Sequence, residues 1–192
     1  NITLRDHIDK GLINGPRIIP SGRVSLTDTP EQARSEIRKM AAMGIKFTGE
    51  IGLTSFPGPT AREMEVLNAI VDESKKAGVM VQVHAVSAQS TVAAVSAGVP
   101  LLVHTTNKNF LTRENAQKMA ASGVKVLTTV GFGSPVFGVF AEDNTPRFRD
   151  GKAWPDSIPL TSRVAEIHMG EEAGHAPVNA RTLWDAGVLL GY

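Results

Sequence analysis

The chain has no cysteine anywhere in its 192 residues. Disulfides and thiolate metal sites are therefore excluded, and any metal must rest on imidazole and carboxylate groups. Charge of one sign is also lacking. Lys plus Arg number 20 against 19 for Asp plus Glu, so neither a nucleic-acid groove nor a basic membrane surface is expected. No stretch approaches the roughly 18 apolar residues of a membrane span, and the opening from Asn1 to His7 has no apolar signal core. Small molecules are the expected partners and the cytoplasm the expected location. No Gly-x-Gly-x-x-Gly follows a strand-like run, which removes the main support for a dinucleotide-binding fold.

A repeated punctuation is what the chain does have. A small or unbranched residue, then glycine, then Ile or Val recurs at Met43-Gly44-Ile45, Ala77-Gly78-Val79, Ala97-Gly98-Val99, Ser122-Gly123-Val124 and Ala186-Gly187-Val188. Each follows a helical pattern and precedes an apolar run, where a left-handed glycine would end the helix. Thr29-Pro30-Glu31-Gln32 offers a cap with proline in the first turn, ahead of Ala33, Ile37, Met40 and Ala41 on one face. Thr60 opens a second helical pattern and Thr112 a third. Helices alternating with short strands imply parallel pairing, in either a doubly wound sheet or a barrel.

Side-chain alternation chooses between these. Val79, Val81 and Val83 share one side of their run, while Met80, Gln82 and His84 share the other. Lys46, Thr48 and Glu50 likewise oppose Ile45 and Phe47. A polar strand face suits a barrel interior better than a central strand of an open sheet, which is apolar on both faces. The expectation is a single domain over residues 1–192, part of a (β/α)8 TIM barrel of α/β class. A closed barrel usually needs about 250 residues, and an opening Asn1 and a closing apolar run Val188 to Tyr192 suggest a piece of a longer chain.

Three side chains close successive runs: Glu50 after Ile45, His84 after Val79 and His104 after Pro100. The carboxyl ends of parallel strands are where barrels build their sites, so these three are the candidate metal ligands. Alone, either histidine would more often be a hydrogen-bonded core residue, and Glu50 could cap a helix or pair with an arginine. Lys46 could be a structural lysine in an ion pair. His7, His168 and His175 lack ligand spacing and default to surface or loop roles, whereas Trp184 and Leu183 are expected in the core. The segment from about 131 to 176, rich in glycine and proline, is expected to be a long loop insertion that selects substrate. Within it Arg147 and Arg149 could hold a substrate carboxylate, although a solvated loop is the plainer reading.

These residues carry a resemblance. Gly49-Glu50-Ile51-Gly52-Leu53, Val81-Gln82-Val83-His84-Ala85, Ala97-Gly98-Val99 leading to Val103-His104, and Asn179-Ala180-Arg181-Thr182-Leu183-Trp184-Asp185-Ala186-Gly187-Val188 resemble the amidohydrolase superfamily. The likeness is to its imidazolonepropionase-related and prolidase-like branch, and Ile8 to Ile18 resembles that group's segment after its second strand. The resemblance implies a metal-dependent hydrolase cleaving a C–N bond, with His84 and His104 as ligands from the fifth and sixth strands. It also implies one or two divalent ions, zinc first among them. Because an incomplete barrel exposes strand edges, a homo-oligomer is expected. At the fourth strand the family uses a carboxylated lysine or a glutamate, so Lys46 and Glu50 are alternatives, with Glu50 preferred. The family's first-strand His-x-His is absent from the chain, and the aspartate that serves as general base would come just after Tyr192. The chain would thus cover the third to eighth strands and be inactive as it stands. A Gly-Glu-Ile-Gly-Leu strand also resembles TatD-type metal-dependent nucleases, which keeps a phosphoesterase as one alternative. A non-catalytic binding or structural module is the other.

Overall fold

The computed structural model describes residues 2–130, 148–149, 152–153 and 172–191. In chain order the elements are α1 (Ile2–Asp9), β1 (Ser21–Gly22), α2 (Pro30–Ala42), β2 (Phe47–Gly52), α3 (Ala61–Ala77), β3 (Met80–His84), α4 (Ala88–Ser96), β4 (Leu101–Val103), α5 (Arg113–Ser122), β5 (Lys125–Leu127), β6 (Phe148–Arg149), β7 (Lys152–Ala153), α6 (Glu172–Asp185) and β8 (Leu189–Gly191). Six strands form one parallel sheet in the order β1-β2-β3-β4-β5-β8. That number matches the third to eighth strands of the expected barrel. β6 and β7 form a separate antiparallel pair, Phe148 opposite Ala153, inside the expected insertion.

All five punctuating glycines take positive φ, from 67° at Gly78 to 86° at Gly187. A side chain at these positions would meet the carbonyl that glycine avoids, so each ends its helix and releases the chain into the next strand. Thr29 caps α2 in a reciprocal box: Gln32 N donates to Thr29 Oγ1 at 3.2 Å and Thr29 N to Gln32 Oε1 at 2.8 Å. Thr112 caps α5 by accepting from Asn115 N at 3.1 Å.

Two compact units divide the residues. The first comprises Asn1–Ile51 and Ala61–Gln82. In it β1 runs parallel to β2, Ser21 opposite Phe47 and Gly22 opposite Thr48. Met80 N donates to the Lys46 carbonyl at 2.7 Å, and Gln82 N donates to Thr48 Oγ1 at 2.9 Å. The core lies between the helices: Ala33, Ile37 and Met40 of α2 and Val66, Leu67 and Ile70 of α3 are all buried. Fully burying such a side chain contributes about 1.5–3 kcal/mol. Arg34 Nη1 adds a bond to the Ala69 carbonyl at 3.2 Å, and Arg38 reaches Glu73 at 3.4 Å.

The second unit comprises Gly52–Thr60 and Val83–Tyr192. β4, β5 and β8 run parallel in it, with Leu101, Lys125 and Leu189 level across the three strands. α4 packs on α5 and α5 on α6. Val99, Leu102, Val103, Ala116, Met119, Val126, Leu183 and Val188 are buried.

Two expectations are corrected. Trp184 is 65% exposed, not in the core, because Leu183 beside it takes the buried face of α6 and the next helical position turns about 100° away. His175 is buried in α6 and not on the surface. Among the described residues no helix is long and apolar enough to cross a membrane.

Candidate metal centre

The alternation read in the sequence aims the candidate residues. Val79, Val81 and Val83 are buried, leaving Met80, Gln82 and His84 on the other side of β3. His84 is the last residue of β3, and its carbonyl accepts a hydrogen bond from Leu53 N at 3.1 Å, which fixes the strand end. β4 is shorter than its apolar run suggests and stops at Val103. His104 follows at once with φ 82°, the only non-glycine among the described residues in the left-handed region. A non-glycine residue there costs about 1–3 kcal/mol and persists where its surroundings over-determine it, most often at functional sites.

Those surroundings are visible. His104 N donates to the Leu127 carbonyl at 2.9 Å, and the His104 ring sets Nδ1 3.0 Å from Thr129 Oγ1. Thr128 beyond β5 is held in turn by donating its N to the Gly191 carbonyl at 2.7 Å. The result is that the two imidazoles meet edge to face, ring centres 4.7 Å apart and planes at 75°. Two imidazoles on one tetrahedral ion, each with a metal–nitrogen bond of about 2.0–2.1 Å, have their ring centres about 5 Å apart. The observed pair therefore fits a shared divalent ion.

Glu50 is on β2, with its side chain exposed. Glu50 belongs to the first unit, whereas His84 and His104 both belong to the second. Two imidazole nitrogens suit zinc and similar borderline ions and leave coordination positions open. Lys46 is exposed and precedes β2, so it stands at the other end of that strand from Glu50. Arg147 lies outside the described residues, as does the Arg149 side chain.

Residues that the sequence did not single out support this arrangement. Thr129 has no motif to mark it, because a threonine two residues past a strand is ordinary. Asn179 is completely buried on α6, donating through Nδ2 to the carbonyls of Thr106 and Asn109, each at 2.8 Å, and accepting from Leu111 N at 2.8 Å. His175 Nδ1 is 2.9 Å from the Asn107 carbonyl, and its ring packs edge to face on Phe110 at 4.4 Å. A polar residue inside the apolar stripe of α6 was the available signal for both. A cavity of about 540 Å³ also lies against α5 and α6, lined by Leu111, Arg113, Gln117, Thr182 and Asp185. Neither His84 nor His104 lines it.

No family model matches the sequence, and no curated protein does. Solved structures do match. A prolidase complexed with N-methylphosphonate-L-proline superimposes with TM-score 0.67 at 19% identity, over 99% of this chain and 51% of that one. An amidohydrolase gives TM-score 0.65 at 19% identity, over 98% of this chain and 51% of its own. Phenylurea hydrolase B gives 0.63 at 17%, over 98% and 48%. The chain thus spans about half the length of the structures it matches, and over that half it shares the parallel α/β fold of these prolidase and amidohydrolase structures.

Proposed function

We propose that this chain carries metal-ligating strands of an amidohydrolase that cleaves a C–N bond in a small amide, lactam or dipeptide-like substrate. The observation that carries the reading is the edge-to-face His84–His104 pair at the strand ends where such barrels act. His84 and His104 would hold a divalent ion, zinc by donor preference, and Glu50 would supply a carboxylate to it. Lys46 is disfavoured by its position, four residues before Glu50 and so roughly 13 Å back along the strand. When bound, such an ion makes a nucleophile of water near neutral pH and polarises the scissile carbonyl.

The chain's own groups do the placing. Thr129 engages His104 Nδ1, which assigns Nε2 to the ligand role and fixes the ring plane. Leu53 N and the Leu127 carbonyl hold the two strand ends, so the imidazoles arrive preorganised. Arg147 and Arg149 remain the proposed contacts for a substrate carboxylate.

The test is metal analysis of the purified protein beside hydrolysis of acyl amino acids, Xaa-Pro dipeptides and a phosphodiester. Divalent metal should copurify with the wild type and be lost from His84→Ala and His104→Ala. In the full polypeptide the amide substrates should turn over and the phosphodiester should not. Phosphodiester cleavage alone would establish the nuclease reading instead. A cooperative fold that retains no metal would sink the hydrolase reading and leave a binding module.

A further inference from the structure

The segment that leaves His104 is fastened to α6 at four points. Asn179 takes the carbonyls of Thr106 and Asn109 and the N–H of Leu111, and His175 donates to the carbonyl of Asn107, since a carbonyl can only accept. Both side chains are buried, Asn179 wholly. The segment is also tied to the start of α4: Asn109 Oδ1 accepts from Ala88 N at 2.7 Å, and Thr106 and Thr91 share a hydroxyl contact at 2.7 Å.

The reason lies one residue upstream. His104 sits at φ 82°, a conformation that its own chain disfavours and that relaxes unless the following residues hold it. We infer that Asn179 is a positioning residue for the metal centre. By clamping 106–111, the α6 amide keeps the His104 backbone left-handed and so keeps its imidazole on Thr129 and facing His84. His175 assists at Asn107. The inference rests on the metal-centre reading only in what the aimed ring is for.

An amide is required for this. One side chain must donate twice and accept once at one point, which an aspartate cannot do and an alanine does not attempt. The clamp is also longer than packing demands: Leu183, on the same helix, is buried without making any of these bonds.

The experiment compares Asn179→Ala and His175→Phe with Leu183→Ala, which weakens the same helix without touching the clamp. Two readouts are taken below each variant's melting point: Co²⁺ titration followed by visible absorption, and ¹⁵N NMR of the metal-free His104 ring. Asn179→Ala should lose about 10- to 100-fold in Co²⁺ affinity, the range for residues that orient a ligand, and its His104 should change from one tautomer to a mixture. His175→Phe keeps the stacking on Phe110 and should show the same changes more weakly, which decides the matter if Asn179→Ala does not fold. Leu183→Ala should melt earlier yet match the wild type in both readouts. Wild-type affinity and an unchanged His104 tautomer in the clamp variants would overturn the inference. So would equal changes in Leu183→Ala. If the wild type binds no Co²⁺ while the tautomer still responds to Asn179, the metal reading fails and the positioning role stands.

Discussion

A histidine at positive φ is a local contradiction, and its resolution tells how the site was selected over the backbone. Glycine would adopt the conformation at 104 without steric cost, as the chain does at Gly44, Gly78 and Gly123. The chain keeps an imidazole there instead, with Nδ1 on Thr129 and its ring against His84. In metal-free protein His104→Gly and His104→Ala both lose the ring, so their difference isolates the backbone term. His104→Gly should be the more stable by about 1 kcal/mol in urea unfolding. An alanine variant as stable as the glycine variant would mean that the left-handed backbone at 104 carries no strain. Gly22 shows the opposite use of glycine, for space: a Cβ there would fall 2.6 Å from Met40 Cγ in the core of the first unit.

Among elements, the helix starts differ in what their caps hold. Thr29 caps α2 at an exposed position, whereas Ser87, capping α4 with Ser90, is fully buried and also donates to the Ser55 carbonyl at 2.6 Å. Thr29→Ala should cost about 1 kcal/mol, the usual value of a cap. Ser87→Ala should cost roughly 2 kcal/mol, because the part-buried carbonyl of Ser55 also loses its donor. Equal denaturation midpoints for the two variants would show that the Ser55 bond adds nothing. The difference between these caps also explains what could be read in advance. Thr29-Pro30-Glu31-Gln32 and the five glycines are local chemistry, and local chemistry is written in consecutive residues. The places of His84 and Glu50 on their strands were legible because strand alternation and strand ends are local too. Asn179, His175 and Thr129 act on residues far away in the chain, and no spacing encodes such partners. β1 was missed because two residues make no apolar run, and Trp184 was misplaced because periodicity fixes a helical face only to within a neighbouring residue.

At the scale of the molecule, a sheet of six parallel strands has two ends. A closed barrel has none, since its last strand pairs with its first. Among the described residues the order begins at β1 and finishes at β8, and the structures that share the fold are matched over only about half their length. Among the described residues no strand pairs with the far side of β8, and this end is apolar: Leu189 on the strand and Trp184 on the preceding helix are each more than 60% exposed, and Leu127 on the adjoining strand is 41% exposed. An apolar sheet edge is a template for another chain, and natural proteins blunt such edges with charge, above all lysine. The only blunting available on the three residues of β8, Leu189-Leu190-Gly191, would have to come from elsewhere. The 192-residue chain should therefore self-associate in proportion to its concentration, as the expected homo-oligomer requires. Sedimentation across a hundredfold range of concentration should show this, and Leu189→Lys should shift the distribution towards monomer without lowering the melting temperature, because the wild-type side chain is already in contact with solvent. A monomer at every concentration would refute the open-edge argument. Association untouched by Leu189→Lys would move the interface away from β8.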